Sequence, residues 1–294
     1  MAQIEQVAVL GAGGTMGFPI AGNLARAGFA VRAWNRSVEK AQPLTEDGAT
    51  VAQSPSEAVN GAQAIVTMLA DADAVLEAVS GDDRALARAA EGALWIQMST
   101  IGIEGTERCA GLAQETGVRF VDAPVLGTKK PAEDGELVVL GSGPEDAREP
   151  LAPVFDAIGK KTMWLGEAGA GTRLKLVTNA WILTVVEGSA ETIALAEGIG
   201  VDPADFLEAI AGGPLDLPYL QMKGKAMIER DFEPSFRLAL AAKDARLVRQ
   251  AAERHELELP LLETIEERLE QGAAEHGDED MAATYLTSAA DGRG

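Results

Sequence analysis

Four apolar residues, Val7-Ala8-Val9-Leu10, run directly into Gly11-Ala12-Gly13-Gly14-Thr15-Met16-Gly17, and a helical pattern follows at once. Four glycines in those seven positions are compatible with few backbone paths. Without a Cβ the chain can turn tightly, leaving the first amides of the next helix pointing outward with the positive end of its dipole behind them. A strand, such a turn and a helix in that order form a cradle for a pyrophosphate. The spacing departs from the standard Gly-x-Gly-x-x-Gly pattern. It fits as Ala12-x-Gly14-x-x-Gly17, with alanine first, and counted from Gly11 it is one residue too long. Alone, the motif would equally suit a structural turn; its position after the first strand makes it informative.

A second apolar strand, residues 30–34, ends at Asn35-Arg36-Ser37, and Asn35 lies 18 residues beyond Gly17. Chains that select NAD(H) place Asp or Glu near this point to accept from the ribose 2′-hydroxyl. Asn35 has no charge to repel a 2′-phosphate, while Arg36 and Ser37 can donate to one. The expected cofactor is NADP(H), with NAD(H) the lesser option; the plain alternative for Arg36 is a solvated loop cation.

The rest of the first half repeats the strand–helix alternation. Apolar runs at 7–10, 30–34, 64–69, 94–98, 119–121 and 137–140 read as buried strands, with helical patterns at 16–27, 38–46 and 72–79. That alternation predicts a doubly wound parallel α/β sheet. Near Leu165-Gly166 the pattern changes. Residues 172–199 contain no proline and read as one long helix, apolar on most sides, as suits a protein core or a subunit interface. Asp202-Pro203 supplies an N-cap and a proline for the next helix. Further helices are expected at 203–211, 217–230, 239–255 and 261–272, with a loose tail at 288–294. The domain reading is therefore 1–165 for cofactor binding and 166–294 as a helical substrate and dimerisation domain.

Composition narrows the function. With 46 acidic against 25 basic residues the formal net charge is −21, so nucleic acid and anionic membrane are poor partners. Cys109 is the only cysteine, which excludes an intrachain disulfide and fits a reducing, cytoplasmic setting. The first residues lack a signal peptide's positive flank. The most apolar stretch, 174–196, is interrupted by Lys175, Glu187 and Glu191 and falls short of a membrane span. Two histidines, His255 and His276, offer no metal site. The acidic residues of 263–270 read as a solvated helix face, and Asp278-Glu279-Asp280 as a surface loop or helix cap.

Gly171, Lys175 and Asn179 recur every fourth residue and so share a helix face. Burial among Leu174, Leu176 and Val177 would suit a lysine to proton exchange near neutrality, and a positioned acid typically contributes ~10²–10⁴ in rate. Asn179 can bind substrate or steady the lysine, and Gly171 is expected to leave room for a ligand. The bland reading is a lysine snorkelling to water at a helix end.

Four ordered motifs together carry a family resemblance across nearly the whole chain. They are the glycine turn ending Thr15-Met16-Gly17; Asp122-Ala123-Pro124-Val125-Leu126-Gly127; Gly171-x-x-x-Lys175-x-x-x-Asn179; and Lys243-Asp244, downstream of Phe236. In these the sequence resembles the β-hydroxyacid dehydrogenase family, which includes 3-hydroxyisobutyrate dehydrogenases. The run from Gly127 to Leu137 looks most like the glyoxylate/succinic semialdehyde reductase branch. The resemblance implies a Rossmann-type domain joined by a long interdomain helix to an all-helical one, and a homodimer or homotetramer. It also implies Lys175 as general acid–base with Asn179 beside it, and a small-molecule substrate held by residues 126–128 (Leu126, Gly127 and Thr128). Leu126 stands where the family has serine, so Thr128 would have to restore the hydroxyl. Phe236 and Asp244 match substrate-side residues. Leu69, Ala70, Thr100 and Lys243 match cofactor contacts, although proline is commoner than alanine at Ala70.

The expected activity is hydride transfer between a nicotinamide and a small oxo-acid or hydroxy acid, of the glyoxylate, succinic semialdehyde or 3-hydroxyisobutyrate type. One alternative is an imine or iminium reductase on the same scaffold. Another is a catalytically silent cofactor-binding assembly module, which the presence of Lys175 argues against.

Overall fold

The computed structural model describes residues 3–82 and 84–289. Its contacts divide the chain into two units, Met1–Lys175 and Leu176–Gly294. The division falls inside a long helix rather than at the composition change near residue 165.

In the first unit the elements in chain order are β1 (Gln6–Leu10), α1 (Gly17–Arg26), β2 (Ala30–Trp34), β3 (Thr50–Val51), α2 (Pro55–Val59) and β4 (Ala64–Thr67). There follow α3 (Ala72–Ser80), β5 (Leu94–Gln97), α4 (Gly102–Thr116), β6 (Arg119–Asp122), β7 (Val125–Leu126), α5 (Lys129–Glu133), β8 (Leu137–Gly141), α6 (Arg148–Asp156) and β9 (Gly159–Trp164). The first six strands form a parallel sheet in the order β3-β2-β1-β4-β5-β6. Successive strand residues face opposite sides. Val7 and Val9 pack with Ile20 and Leu24 on one face, while Ala8 and Leu10 pack with Val75, Val79 and Trp95 on the other. Both faces are therefore covered, as a doubly wound sheet requires.

Two expectations are corrected. Residues 38–46 form two short 3₁₀ turns, Val38–Lys40 and Gln42–Thr45, instead of one helix. Pro43 lacks the N–H that would extend an α-helical ladder. Residues 137–140 do form a strand, but β8 belongs to a separate sheet, β7-β8-β9, antiparallel to β7 and parallel to β9. The two sheets touch through a bridge in which Asp122 and Ser142 exchange N–H···O=C bonds at 2.9 and 2.8 Å. β9 is an edge strand, with Lys160, Lys161 and Thr162 exposed.

α7 (Ala170–Ile199) runs on into the second unit, followed by α8 (Pro203–Ile210), α9 (Pro218–Glu229), α10 (Leu238–Arg254) and α11 (Pro260–His276). Asp202 caps α8 by accepting the Ala204 N–H at 2.9 Å. The apolar core here is drawn from Leu183, Val186, Ile193, Met227, Leu238, Ile265, Leu269 and Tyr285. Asp280, expected in a surface loop or as a helix cap, does cap the closing 3₁₀ turn, Met281–Thr287, but is buried; Glu266, expected on a solvated face, is buried against Arg249 at 2.7 Å. Of the expected loose tail, Ser288 and Ala289 bond back to the Tyr285 carbonyl, and residues 290–294 lie outside the described residues. No helix among the described residues is long and apolar enough to cross a membrane.

Candidate active site

The turn between β1 and α1 has no space for side chains at three of its glycines. Gly11 has φ +96°, and a Cβ there would lie 2.1 Å from the Met68 carbonyl oxygen. A Cβ on Gly17 would lie 2.1 Å from the Gly11 carbonyl oxygen, and one on Gly13 would press on Asn35 Cγ and Lys40 Cβ, each at 2.7 Å. The turn is also tied down: Gly11 and Ala12 donate to the Trp34 carbonyl at 2.9 and 3.0 Å. Gly13 N–H donates to Asn35 Oδ1 at 3.2 Å, while the Asn35 amide donates to the Ser37 carbonyl at 3.0 Å. Asn35 is thus a strut between the turn and the end of β2. Gly14, Thr15 and Arg36 are exposed, and Met16 and Ser37 half-buried. Lys40, not singled out from the sequence, lies beside Gly13; its spacing of four from Arg36 was the available signal.

The loops after β4 and β5 reach the same end of the sheet and are joined by one buried hydroxyl. Leu69 N–H donates to Ser99 Oγ at 2.8 Å. Ser99 N–H donates to Gln97 Oε1 at 2.8 Å, and the Gln97 amide returns a bond to the Ser99 carbonyl at 2.8 Å. This cluster sets the places of half-buried Leu69 and Thr100 and exposed Ala70. β1 and β4 flank the point where strand order reverses, which is where doubly wound sheets take their ligands. The cradle that a Cβ would fill, with exposed Gly14 and Thr15 just ahead of α1, fits a dinucleotide.

Residues 122–128 are partly regular. Val125 and Leu126 form β7, and Gly127 sits at φ +121°, where a Cβ would crowd Leu137 and Pro131. Thr128 precedes α5 without capping it through its hydroxyl. Gly171 does not leave room for a ligand: a Cβ there would lie 2.2 Å from the Leu140 carbonyl and 3.1 Å from the Asp122 carbonyl and Pro124 Cδ. Its bareness lets α7 start against the backbone of this segment. Lys175, in the second turn of α7, is half-buried. The lone Cys109 is buried in the same unit, and burial pushes its thiol up to about 12, so it is chemically quiet.

In the second unit, Asn179 and Asp244 are buried together, and the Asn179 amide donates to Asp244 Oδ2 at 2.7 Å. Asp244 Oδ1 faces Lys243 Nζ at 2.9 Å. Asn179 Oδ1 is buried without a hydrogen-bond partner, so its acceptor is free for a donor. Phe236 is half-buried, its N–H donating to Asp280 at 3.2 Å and its carbonyl accepting from Met281 at 2.8 Å. Among the described residues, no group of three His, Cys, Asp or Glu side chains is placed to hold a metal ion.

The sequence profile of the NAD binding domain of 6-phosphogluconate dehydrogenase matches residues 6–166, and that of the NAD-binding domain of NADP-dependent 3-hydroxyisobutyrate dehydrogenase matches residues 169–287. The chain belongs to the β-hydroxyacid dehydrogenase family. Among its relatives, the glyoxylate/succinic semialdehyde reductase 2 of Arabidopsis thaliana is 34% identical, over 92% of this chain and 76% of that one. The uncharacterized oxidoreductase YfjR of Bacillus subtilis is also 34% identical, over 95% of this chain and 98% of the other. The Mycobacterium tuberculosis 3-hydroxyisobutyrate dehydrogenase, solved with L-serine, superposes with a TM-score of 0.87 at 28% identity, covering 98% of this chain and all of its own. This β-hydroxyacid dehydrogenase is therefore an NAD(P)-dependent oxidoreductase of the glyoxylate/succinic semialdehyde reductase or 3-hydroxyisobutyrate dehydrogenase type.

Proposed function

We propose that the protein is an NADP(H)-dependent reductase of small oxo-acids, glyoxylate or succinic semialdehyde in kind, with Lys175 as its general acid. The reverse reaction would oxidise a hydroxy acid. The observation that carries this reading is the seating of α7 through Gly171 against residues 122–128, which holds Lys175 one turn further along the helix. Bound NADPH supplies the hydride for the carbonyl carbon. Lys175 gives its proton to the oxygen as charge develops there and takes it back in reverse. The amides of Gly127 and Thr128 and the Thr128 hydroxyl receive the substrate carboxylate, and Phe236 and Asp244 are proposed as further substrate residues. Asn179 presents its unpartnered Oδ1 to a donor. Leu126 makes one wall apolar, which favours a longer or less charged chain over the smallest acids.

The glycine turn, the loops carrying Leu69, Ala70 and Thr100, and Lys243 are proposed to hold the cofactor. Exposed Arg36, Ser37 and nearby Lys40 favour the 2′-phosphate form. Charge-assisted hydrogen bonds are worth about 1.5–3 kcal/mol. Arg36→Ala should therefore weaken NADPH binding roughly 10–100-fold and leave NADH binding nearly unchanged. Fluorescence titration with both cofactors measures this, and an equal loss for the two would remove Arg36 from 2′-phosphate recognition.

Turnover is tested by following NADPH and NADH oxidation with glyoxylate, succinic semialdehyde and a cyclic imine. Oxo-acid turnover supports the proposal. Turnover of the imine alone moves the assignment to imine reduction and makes Leu126 the deciding residue. Cofactor binding with no turnover of any of these would favour the silent assembly module.

We also propose self-association in a reducing, cytoplasmic setting. Val177, Trp181, Leu195 and Ile199 are exposed on α7, and at 100° per residue all four fall within one narrow stripe. Sedimentation should find a dimer or tetramer for the wild type and a smaller species for Trp181→Glu; a monomeric wild type would refute it.

A further inference from the structure

The Asp122 carboxyl is fully buried, and no step assigned above uses it. Its Oδ2 accepts from the Thr172 backbone N–H and its Oδ1 from the Thr172 hydroxyl, both at 2.8 Å. The Ser142 hydroxyl reaches Oδ2 at 3.2 Å and the Asp122 carbonyl at 3.1 Å, while its oxygen accepts from Gly171 N–H at 3.0 Å. Thr172 Oγ1 also meets the buried Thr106 hydroxyl at 3.0 Å. The Thr172 N–H can only donate to this carboxyl, while the Thr172 and Ser142 hydroxyls stand at hydrogen-bond distance from it. Burial pushes the group above its usual range, and hydrogen bonds from Thr172, Ser142 and Gly169 pull against that. An anion at the start of a helix is also favoured by the helix dipole.

The arrangement has two ends. Asp122 begins the 122–128 segment through its main chain, and through its side chain it grips the first turn of α7. Lys175 lies three residues beyond Thr172, one helical turn away. These residues all belong to the first unit. A single side chain therefore bears on both the proposed carboxylate-binding segment and the proposed proton donor.

We propose that Asp122 is a positioning residue for the reaction: its carboxylate fixes the height and rotation of the first turn of α7, and so places Lys175 against residues 122–128. The inference rests on the acid–base role proposed for Lys175. Displacing a catalytic group by an ångström can cost about 10²-fold in rate, and Asp122→Asn is expected to shift Lys175 by loosening the hold on Thr172. The amide keeps one acceptor and turns an NH₂ towards either the Thr172 N–H, which can only donate, or the Thr172 hydroxyl, which must then swing round to accept.

The test is a double-mutant cycle in the full chain, using NADPH and glyoxylate, with thermal midpoint and NADPH affinity measured on each variant. Asp122→Asn is expected to lower kcat by about 10–100-fold while NADPH affinity, set at the glycine turn, stays at the wild-type value. In a Lys175→Ala background the same substitution should bring no further loss, since there is no ammonium left to place. Thr172→Val should lower kcat and Thr172→Ser restore it. A folded Asp122→Asn variant with wild-type kcat overturns the proposal, as does an equal loss with and without Lys175. If Asp122→Asn does not fold, the Val and Ser variants at Thr172 decide the question alone: equal kcat in both overturns it. Full activity of Lys175→Ala would instead defeat the acid–base reading on which this one depends.

Discussion

Lys175→Ala is expected to lower kcat for oxo-acid reduction by roughly 10²–10⁴-fold and to leave NADPH affinity and the thermal midpoint close to wild type. Alanine is the strongest helix former, and the position is only half-buried, so the helix should not register the change. What is lost is the proton for the carbonyl oxygen, which water must then deliver without being held. Lys175→Arg should fare little better, because guanidinium does not release a proton in the working range. Steady-state NADPH oxidation measures both variants. A Lys175→Ala enzyme as fast as wild type would end the assignment, whereas partial recovery with added primary amines would confirm the missing group as an ammonium.

The largest stability effect is expected at Asp280. Its carboxylate pairs with Lys223 at 2.6 Å, both side chains being under 5% exposed, and it also accepts from Ser235 N–H and hydroxyl, Phe236 N–H and Ala282 N–H. Exposed pairs such as Arg246–Glu270, nearly half exposed on both sides, are worth at most about 1 kcal/mol. Removing one partner of a buried pair costs about 3–5 kcal/mol, because the other charge stays buried alone. Asp280→Ala should lose about that much in denaturant unfolding at neutral pH, a large share of the ~5–15 kcal/mol typical of a domain.

The same group makes the fold acid-sensitive. Burial alone would raise the Asp280 carboxyl, but the Lys223 ammonium and the Ala282 and Ser235 amides outweigh it and hold it below the usual range. A carboxyl lowered on folding stabilises fully above its unfolded value of about 3.9, and loses that contribution as pH falls through the folded value. Wild type should therefore lose stability below about pH 4, and Asp280→Ala should lose less over that window. Parallel acid titrations of the two would refute this part.

Much of the fold was legible because large apolar residues recur at the right period. The strands around Val7–Leu10, Ala30–Trp34 and Leu94–Gln97 declare themselves, as does the thirty-residue α7. α4 did not, because the side it buries is Gly102, Gly105, Thr106, Cys109 and Ala113. Those positions have helical spacing but are too small to make an apolar stripe. α6 was hidden by Pro150 and Pro153, and β9 by its lysines. At the site, the glycine turn, Lys175 and Asn179 could be read from local spacing. The grip of Asp122 on α7 and the Asp280–Lys223 pair could not, since each depends on a partner far away in the chain, 50 residues in the case of Asp122 and Thr172. Gly171 was found by spacing yet misread, because the group it makes way for is the chain's own backbone.

Strand β9 has one more consequence. An edge strand offers a row of unmatched amides and carbonyls to any other extended chain, and short apolar edges are how soluble proteins begin to stack. Here the adjacent exposed positions are Lys160 and Lys161, at an irregularity in the pairing with β8. Two copies approaching edge to edge would have to strip water from four ammonium groups and press like charges together. These lysines act against assembly of the wrong kind, a colloidal role different from that proposed for the apolar stripe on α7.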